Sequence, residues 1–89
     1  MKKVEIKLDY PVEVNGESFE VLHMRRPKVR DMLAGSKAQG DEAEKEVRIF
    51  ATLCEVPPVV IEELDYADYQ KLVETFNGFL SSQKQTAAA

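Results

Sequence analysis

Residues 12–19, Val-Glu-Val-Asn-Gly-Glu-Ser-Phe, place a tight turn between two segments of alternating polarity. Asn15-Gly16 is the dipeptide that best tolerates the positive φ angles of a type I′ turn. Alternation of apolar and polar residues on both sides of a turn is typical of strands with one buried face. The pattern predicts a β-hairpin over residues 3–24. We expect a bend or bulge near Pro11, because proline cannot donate a hydrogen bond to the ladder.

The segment that follows the hairpin changes to helical spacing. Proline is favoured at a first helical position, so Pro27 is predicted to begin a helix. Val29, Met32 and Leu33 are spaced i, i+3 and i+4, which gives this helix one apolar face over about two turns. Gly35-Ser36 is predicted to end it.

Two further helices and a short helical turn are predicted downstream. Asp41 and Glu44 have the spacing of a capping box at the start of a helix that Pro57-Pro58 ends. The apolar residues after this proline pair are predicted to form a single helical turn. Asp65 is predicted to cap the last helix, which ends near Leu80.

The fold class predicted from these elements is α+β. An N-terminal β-hairpin is followed by three helices and the short helical turn, in the order ββααα. Residues 1–80 are expected to form a single small domain, because a chain of 89 residues provides one core of limited size. Residues 81–89 are small or polar, so we expect them to form a flexible, disordered C-terminal tail.

The composition limits the classes of function. The net charge of −4 repels phosphate backbones, so nucleic acid is not an expected partner. The sequence has no run of 18 apolar residues and no signal peptide, so we expect no contact with a membrane. A single cysteine excludes an internal disulfide and fits the reducing cytoplasm.

Catalytic chemistry has little support in the sequence. His23 and Cys54 are the single histidine and the single cysteine, and a nucleophilic pair made from them is one hypothesis. The favoured interpretation places Cys54 in a helix core row, as is common for small buried cysteines. The carboxylates of residues 41–46 match a solvated helix start better than a metal site. We therefore expect no enzyme activity, no catalytic residue, no cofactor and no metal.

A protein-binding surface is predicted on the last helix, which has more apolar side chains than a small domain usually buries. The residues expected to contact the partner are Tyr66, Tyr69, Phe79 and Leu80, with Arg25 and Arg26 as a charged rim. The competing interpretation of the arginines is that they pair with the protein's own acids, for which Glu20, Asp31 and Glu62 are the candidates. A homo-oligomer is a further expectation, because self-association would use the same surface.

Two motifs and their order connect the chain to a known family. The motifs are the junction Leu22-His23-Met24-Arg25-Arg26-Pro27 and the element Leu64-Asp65-Tyr66-Ala67-Asp68-Tyr69. Their order, over roughly residues 4–80, resembles that of the small tail assembly chaperones of Mu-like contractile-tailed phages and prophages. The resemblance implies a non-enzymatic holdase that binds the helical tape-measure protein, with the tail-tube protein as a second candidate client. It also implies action in the cytoplasm of the bacterial host and absence from the finished virion.

A second hypothesis from a different class stays open at this point. Residues 31–89 carry five basic and eleven acidic side chains, a net charge of −6. An acidic helical surface of this kind can mimic nucleic acid for a host enzyme. The alternative function is therefore a small regulatory or inhibitor module, either antitoxin-like or binding a host protein.

Overall fold

The chain forms an antiparallel β-hairpin followed by four helical segments. The computed structural model describes the backbone of residues 3–88 and the side chains of residues 3–81. The elements are β1 (Lys3–Val14), β2 (Glu17–Arg25), α1 (Val29–Lys37), α2 (Glu42–Cys54), α3 (Pro58–Glu62) and α4 (Tyr66–Ala88). The predicted α+β class is confirmed, with α3 as the short helical turn.

The turn of the hairpin lies where the sequence predicts it. Asn15 and Gly16 have φ angles of 52° and 83°, so both residues of the turn are in the left-handed region. Val14 pairs with Glu17 and closes the loop. This two-residue geometry is the type I′ turn, whose twist matches that of the flanking strands.

The predicted irregularity near Pro11 is a wide bulge in β1. Lys7 pairs with Val21, and the next pair towards the turn is Val12 with Phe19. The four residues Leu8–Pro11, called the bulge below, therefore lie opposite the single residue Glu20. The bulge removes several backbone groups of β1 from the ladder, so they need partners elsewhere in the molecule.

The helix caps follow the predicted side chains. The backbone N–H of Asp41 donates to Glu44 at 2.9 Å, and the N–H of Glu44 donates to the carboxylate of Asp41 at 2.9 Å. Glu55 ends α2 in the left-handed conformation, with a φ of 60°. The Asp65 carboxylate accepts a hydrogen bond from the N–H of Ala67 at 2.9 Å and so caps α4.

The prediction that Pro27 begins α1 is wrong. Lys28 is still extended and is the N-cap residue, so the helix begins at Val29. The cause is the carboxylate of Asp31, which accepts a hydrogen bond from the backbone N–H of Lys28 at 2.7 Å. In this contact the side chain at the third helical position accepts a hydrogen bond from the N-cap N–H, as in a capping box. It fixes the start of the helix one residue after Lys28.

Helix α4 continues to Ala88, past the end predicted near Leu80. The side chains of residues 82–89 lie outside the described residues. The division into a domain of residues 1–80 and a flexible tail of residues 81–89 stays a prediction.

The core lies between one face of the hairpin and the helices α2, α3 and α4. Its buried apolar residues are Ile6, Leu8, Leu22, Met24, Phe50, Ala51, Leu53, Cys54, Val60, Ile61, Leu72 and Phe79. The two buried residues of α1 are Asp31 and Gly35, neither of which is a large apolar side chain. The predicted apolar face of α1 therefore does not point into the core.

Two glycines give a prediction of opposite sign for the same substitution. A Cβ atom added at Gly16 or at Gly78 would have no atom within 4 Å, so neither change is limited by space. Gly16→Ala should lower the free energy of unfolding by about 1 kcal/mol, because alanine resists a positive φ. Gly78→Ala should raise it by about 1 kcal/mol, because alanine is the better helix former. Chemical denaturation measures both, and equal effects of the two changes would contradict the assigned turn.

Candidate partner-binding groove

The side chain of Asp68 joins the first turn of α4 to the bulge of β1. It is fully buried, and its two carboxylate oxygens accept hydrogen bonds from the backbone N–H groups of Asp9 and Tyr10, at 2.9 and 3.0 Å. These are two of the backbone groups that the bulge removes from the ladder. The sequence places Asp68 near the positive end of the helix dipole, and the structure adds this long-range role.

The pKa of Asp68 is lowered. Burial is the largest single influence and raises the pKa, because it disfavours the charged carboxylate. The backbone N–H groups of Asp9 and Tyr10 and the ammonium of Lys71 together lower the pKa by more. Asp68 is therefore a buried carboxylate that stays ionised because it is hydrogen-bonded.

Lys71 makes a second link between α4 and the bulge. Its ammonium donates to the backbone carbonyl of Lys7 at 2.9 Å. It also lies 3.0 Å from a carboxylate oxygen of Asp9 and 3.4 Å from Oδ1 of Asp68. The start of α4 is thus held against β1 by two side chains that lie three residues apart.

A groove lies between α2 and the start of α4 that these contacts position, and α3 forms one of its walls. Its volume is about 360 Å³, and the residues that line it are Ala43, Glu46, Val47, Ile61, Glu62, Leu64, Tyr66 and Tyr69. A smaller cavity of about 190 Å³ shares Ala43, Val47 and Glu62 with it and extends it along α2. We call the larger cavity the tyrosine groove.

Two aromatic rings form one side of the tyrosine groove. Tyr69 is half-buried, packs on Phe50 with ring centroids 5.5 Å apart, and its hydroxyl donates a hydrogen bond to the Glu46 carboxylate. Burial, together with this carboxylate, raises the pKa of Tyr69. Tyr66 is 74% exposed, and its ring lies nearly parallel to that of Tyr69 at 6.2 Å. Tyr69 therefore supports the wall, and Tyr66 presents its ring to solvent.

Charge around the tyrosine groove is mainly negative. Glu46 and Glu62 line it, and Glu44 lines the adjoining cavity beside a single cation, Arg48. Apolar side chains form the floor between these carboxylates. Such a surface is complementary to a chain segment that carries apolar and basic side chains together.

The six predicted partner-binding residues fall into two groups in the structure. Tyr66 and Tyr69 lie at the tyrosine groove. Phe79 lies thirteen residues after Tyr66 along α4, which is about 20 Å along the helix axis. Leu80 is exposed beside Phe79 in the sequence, and the guanidinium of Arg26 lies 5.3 Å above the Phe79 ring. The structure does not bring the arginines to the tyrosines, and the assignment of all six residues to partner binding stays a prediction.

Two of the expected surface positions are wrong. Phe79 is buried in the core, because its ring packs inward under Arg26. Arg25 is not a free rim cation, because its guanidinium makes two hydrogen bonds to the Asp31 carboxylate, at 2.8 and 2.9 Å. This pair is largely buried, with 14% of the Arg25 side chain and 5% of the Asp31 side chain exposed.

The residues of the hypothetical nucleophilic pair lie on different sides of the hairpin. His23 is exposed and pairs with Glu5 across the ladder, whereas its neighbours Leu22 and Met24 face the core. Cys54 lies in that core, and burial raises the pKa of its thiol to about 12. The thiol is therefore protonated near neutral pH and is a poor nucleophile.

Residues 3–81 contain no cluster of three or more histidine, cysteine or carboxylate side chains that could hold a metal ion. Among the described helices, none combines the length and hydropathy needed to span a bilayer.

The fold and the groove together define a small α+β protein with an open apolar surface framed by carboxylates. The chain belongs to the family of phage tail assembly chaperone proteins, E, or 41 or 14, whose model matches residues 5–81. Comparison with curated proteins and with solved structures gives no match. Family membership supports a tail assembly chaperone role, with protein partners, and it favours this role over the regulatory or inhibitor module. It also favours a non-enzymatic protein.

The sequence does not predict the contact of Asp68 with the bulge, although an aspartate in the first turn of a helix and a proline-interrupted strand are both visible signals. Asp31 is among the acids expected to pair with the arginines of the junction, and the structure has this pair at Arg25. Neither signal predicts burial, which depends on how the hairpin and the helices pack.

Asp68→Asn is expected to lower the free energy of unfolding by about 2–4 kcal/mol, measured by chemical denaturation. An amide can accept only one of the two N–H groups well and brings its own buried donors, so it leaves polar groups unsatisfied. Asp9→Asn is the matched control, since its side chain is 65% exposed and forms a surface ion pair with Lys71. This control should change the stability by less than about 0.5 kcal/mol. Equal losses of stability in Asp68→Asn and Asp9→Asn would refute the proposed importance of Asp68.

The Arg25–Asp31 pair predicts a loss of stability in acid. The hydrogen bonds from Arg25, opposed by burial and assisted by the N–H of Lys28, lower the pKa of Asp31 from 3.8 to about 2. A lowered pKa stabilises the folded state above pH 4, and this stabilisation disappears as the pH falls towards 2. The loss attributable to Asp31 should be roughly 2 kcal/mol. Asp31→Asn should flatten this part of the stability profile, and an unchanged slope would contradict the assignment.

Proposed function

We propose that this protein binds the tape-measure protein of a phage or prophage tail and keeps it soluble until the tail tube assembles around it. The observation that carries the proposal is the tyrosine groove, an apolar surface framed by Glu46 and Glu62. The family supports a chaperone role in tail assembly. The tail-tube protein is a second candidate client.

The chemistry of the groove suits an amphipathic helix with basic side chains. Apolar side chains of the client would cover Val47, Ile61 and Leu64, and its cations would lie near the two glutamates. Tyr66 would contribute most to the contact, because it is an exposed aromatic residue at the edge of a preformed cavity. Contacts of this size are weak and reversible, as a chaperone that must release its client requires.

We also propose that the protein acts without catalysis in the cytoplasm of the bacterial host and is absent from the finished virion. A homo-oligomer that covers the exposed Tyr66 ring is the proposed resting form. Self-association of this kind protects an apolar surface until the client replaces the second copy.

Co-expression with the tape-measure protein of the same phage or prophage tail tests the proposal. The client should be soluble with the unaltered protein and should aggregate without it. Tyr66→Ser and Glu62→Lys should each reduce the soluble client by at least about fivefold, because they remove the aromatic contact or reverse the charge of the rim. Both residues are exposed, so the melting temperature should stay within a few degrees.

Tyr10→Ser is the matched control, because it removes a tyrosine that is 59% exposed and does not line the groove. It should leave the soluble client unchanged. A client that stays insoluble with the unaltered protein would overturn the choice of client. Full solubility with both groove variants would overturn the choice of site.

A further inference from the structure

Helix α1 turns its large apolar side chains away from the molecule. Val29, Met32 and Leu33 are 76%, 47% and 55% exposed. The inward face carries Asp31 and Gly35, and the fit at Gly35 is so close that an added Cβ would lie 2.6 Å from the Ile49 side chain. Helix α1 therefore packs on the rest of the protein through the side that carries Asp31 and Gly35. Its apolar side contacts no partner within the described residues.

Cationic side chains lie beside this apolar face. Lys28, Arg30 and Lys37 are all exposed, and none of them forms an ion pair with the side chains that the structure describes. Arg30 and Lys37 lie three residues before and four residues after Leu33, so the three share one side of the helix.

The charge of this segment is opposite to that of the rest of the protein. Residues 25–40 hold five cationic and one anionic side chain, a net charge of +4. The remaining residues hold seven cationic and fifteen anionic side chains, a net charge of −8. The separation gives α1 a local positive field on an acidic molecule.

A shallow groove runs beside α1 towards α4. Two cavities, of about 250 and 160 Å³, share Met32, Ile49, Glu42 and Lys45. The larger of them continues to Phe50 and Phe76, so apolar side chains from three helices form one depression. Met32 is the residue of the exposed apolar face that lines this groove. The charged residues of the lining are Glu42, Glu46 and Lys45, so the groove itself is not basic.

We propose that the outward face of α1 binds an acidic amphipathic helix of another protein. Apolar residues of that helix would cover Val29, Met32 and Leu33, and its carboxylates would pair with Arg30 and Lys37. The outward face of α1 is flanked by Lys28, Arg30 and Lys37, whereas the tyrosine groove is lined by Glu46 and Glu62 and suits a basic segment. The protein thus has two surfaces for segments of opposite charge, and the second extends the proposed function.

The same observations disfavour the other occupants of such a face. A phosphate backbone would leave the three large apolar side chains uncovered, and α1 has no aromatic residue on which a base could stack. An anionic membrane would repel the remaining net charge of −8. A two-fold dimer through α1 would place its cations against the same cations of the second copy.

The test uses the full-length protein and two synthetic helical peptides. Both peptides carry leucine at i, i+3, i+4 and i+7, and their flanking positions are glutamate in one and lysine in the other. The glutamate peptide should bind in low salt, and the lysine peptide should bind at least about tenfold more weakly. Leu33→Ser and the double variant Arg30→Glu/Lys37→Glu should each weaken binding of the glutamate peptide by about tenfold. Tyr66→Ser is the matched control and should leave it unchanged, with all variants first verified by melting.

Several results would overturn the inference. Equal binding of both peptides would show that charge does not select the partner. If the glutamate peptide did not bind, an acidic helix would be excluded as the partner of this face. Tight binding of duplex DNA or of anionic vesicles in place of the peptide would assign the face to another class of partner. A smaller oligomer for Leu33→Ser, with no peptide binding by the unaltered protein, would assign it to a second copy. Loss of peptide binding in Leu33→Ser with normal solubility of the tape-measure client would support the inference independently of the proposed function.

Discussion

The Asp68 carboxylate provides the two hydrogen-bond acceptors that the bulge of β1 lacks within its own hairpin. These hydrogen bonds are partly buried, and an N–H group that loses its acceptor away from water costs about 1–3 kcal/mol, so the first turn of α4 stabilises the bulge. Because the bulge lies in the middle of β1, this contact also fixes where α4 begins relative to the hairpin. The position of Tyr66 and Tyr69, and hence of the tyrosine groove, follows from it. The proposed binding surface therefore depends on the contacts of Asp68 with Asp9 and Tyr10, which lie 59 and 58 positions away in the sequence.

The orientation of helix α1 is fixed by two contacts on one side of the helix. Its start is fixed by the buried Arg25–Asp31 pair and its packing by the close approach of Gly35 to Ile49. Both contacts use the same side of the helix, so the apolar side, with Leu33, must face outward. The domain consequently presents an acidic apolar groove near the start of α4 and a basic apolar face on α1. Under the two proposals, this charge separation would direct segments of opposite charge to different surfaces.

Local chemistry made most of the fold predictable from the sequence. The Asn15-Gly16 turn, the irregularity at Pro11 and the caps at Asp41 and Asp65 are each determined by neighbouring residues, and the structure has all four. The misplaced features depend on tertiary packing. The apolar spacing in α1 predicts an apolar side of the helix but not whether that side points inward. In the structure the side with Gly35 packs inward, because the absence of a side chain there allows close contact with Ile49. Similarly, the surplus of apolar residues on α4 predicts a surface but not which side chain lies on it, so Tyr66 and Phe79 could not be separated by sequence alone.

Amide hydrogen exchange at Asp9 and Tyr10 tests the importance of the Asp68 contact most directly. In a bulge open to water these two amides would exchange about as fast as those of the Asn15-Gly16 turn. If the Asp68 carboxylate holds them, they should exchange as slowly as the core amide of Leu22, because they can open only when α4 leaves the hairpin. Protection equal to that of the core would support this account. Rapid exchange at both amides in an otherwise protected hairpin would contradict it.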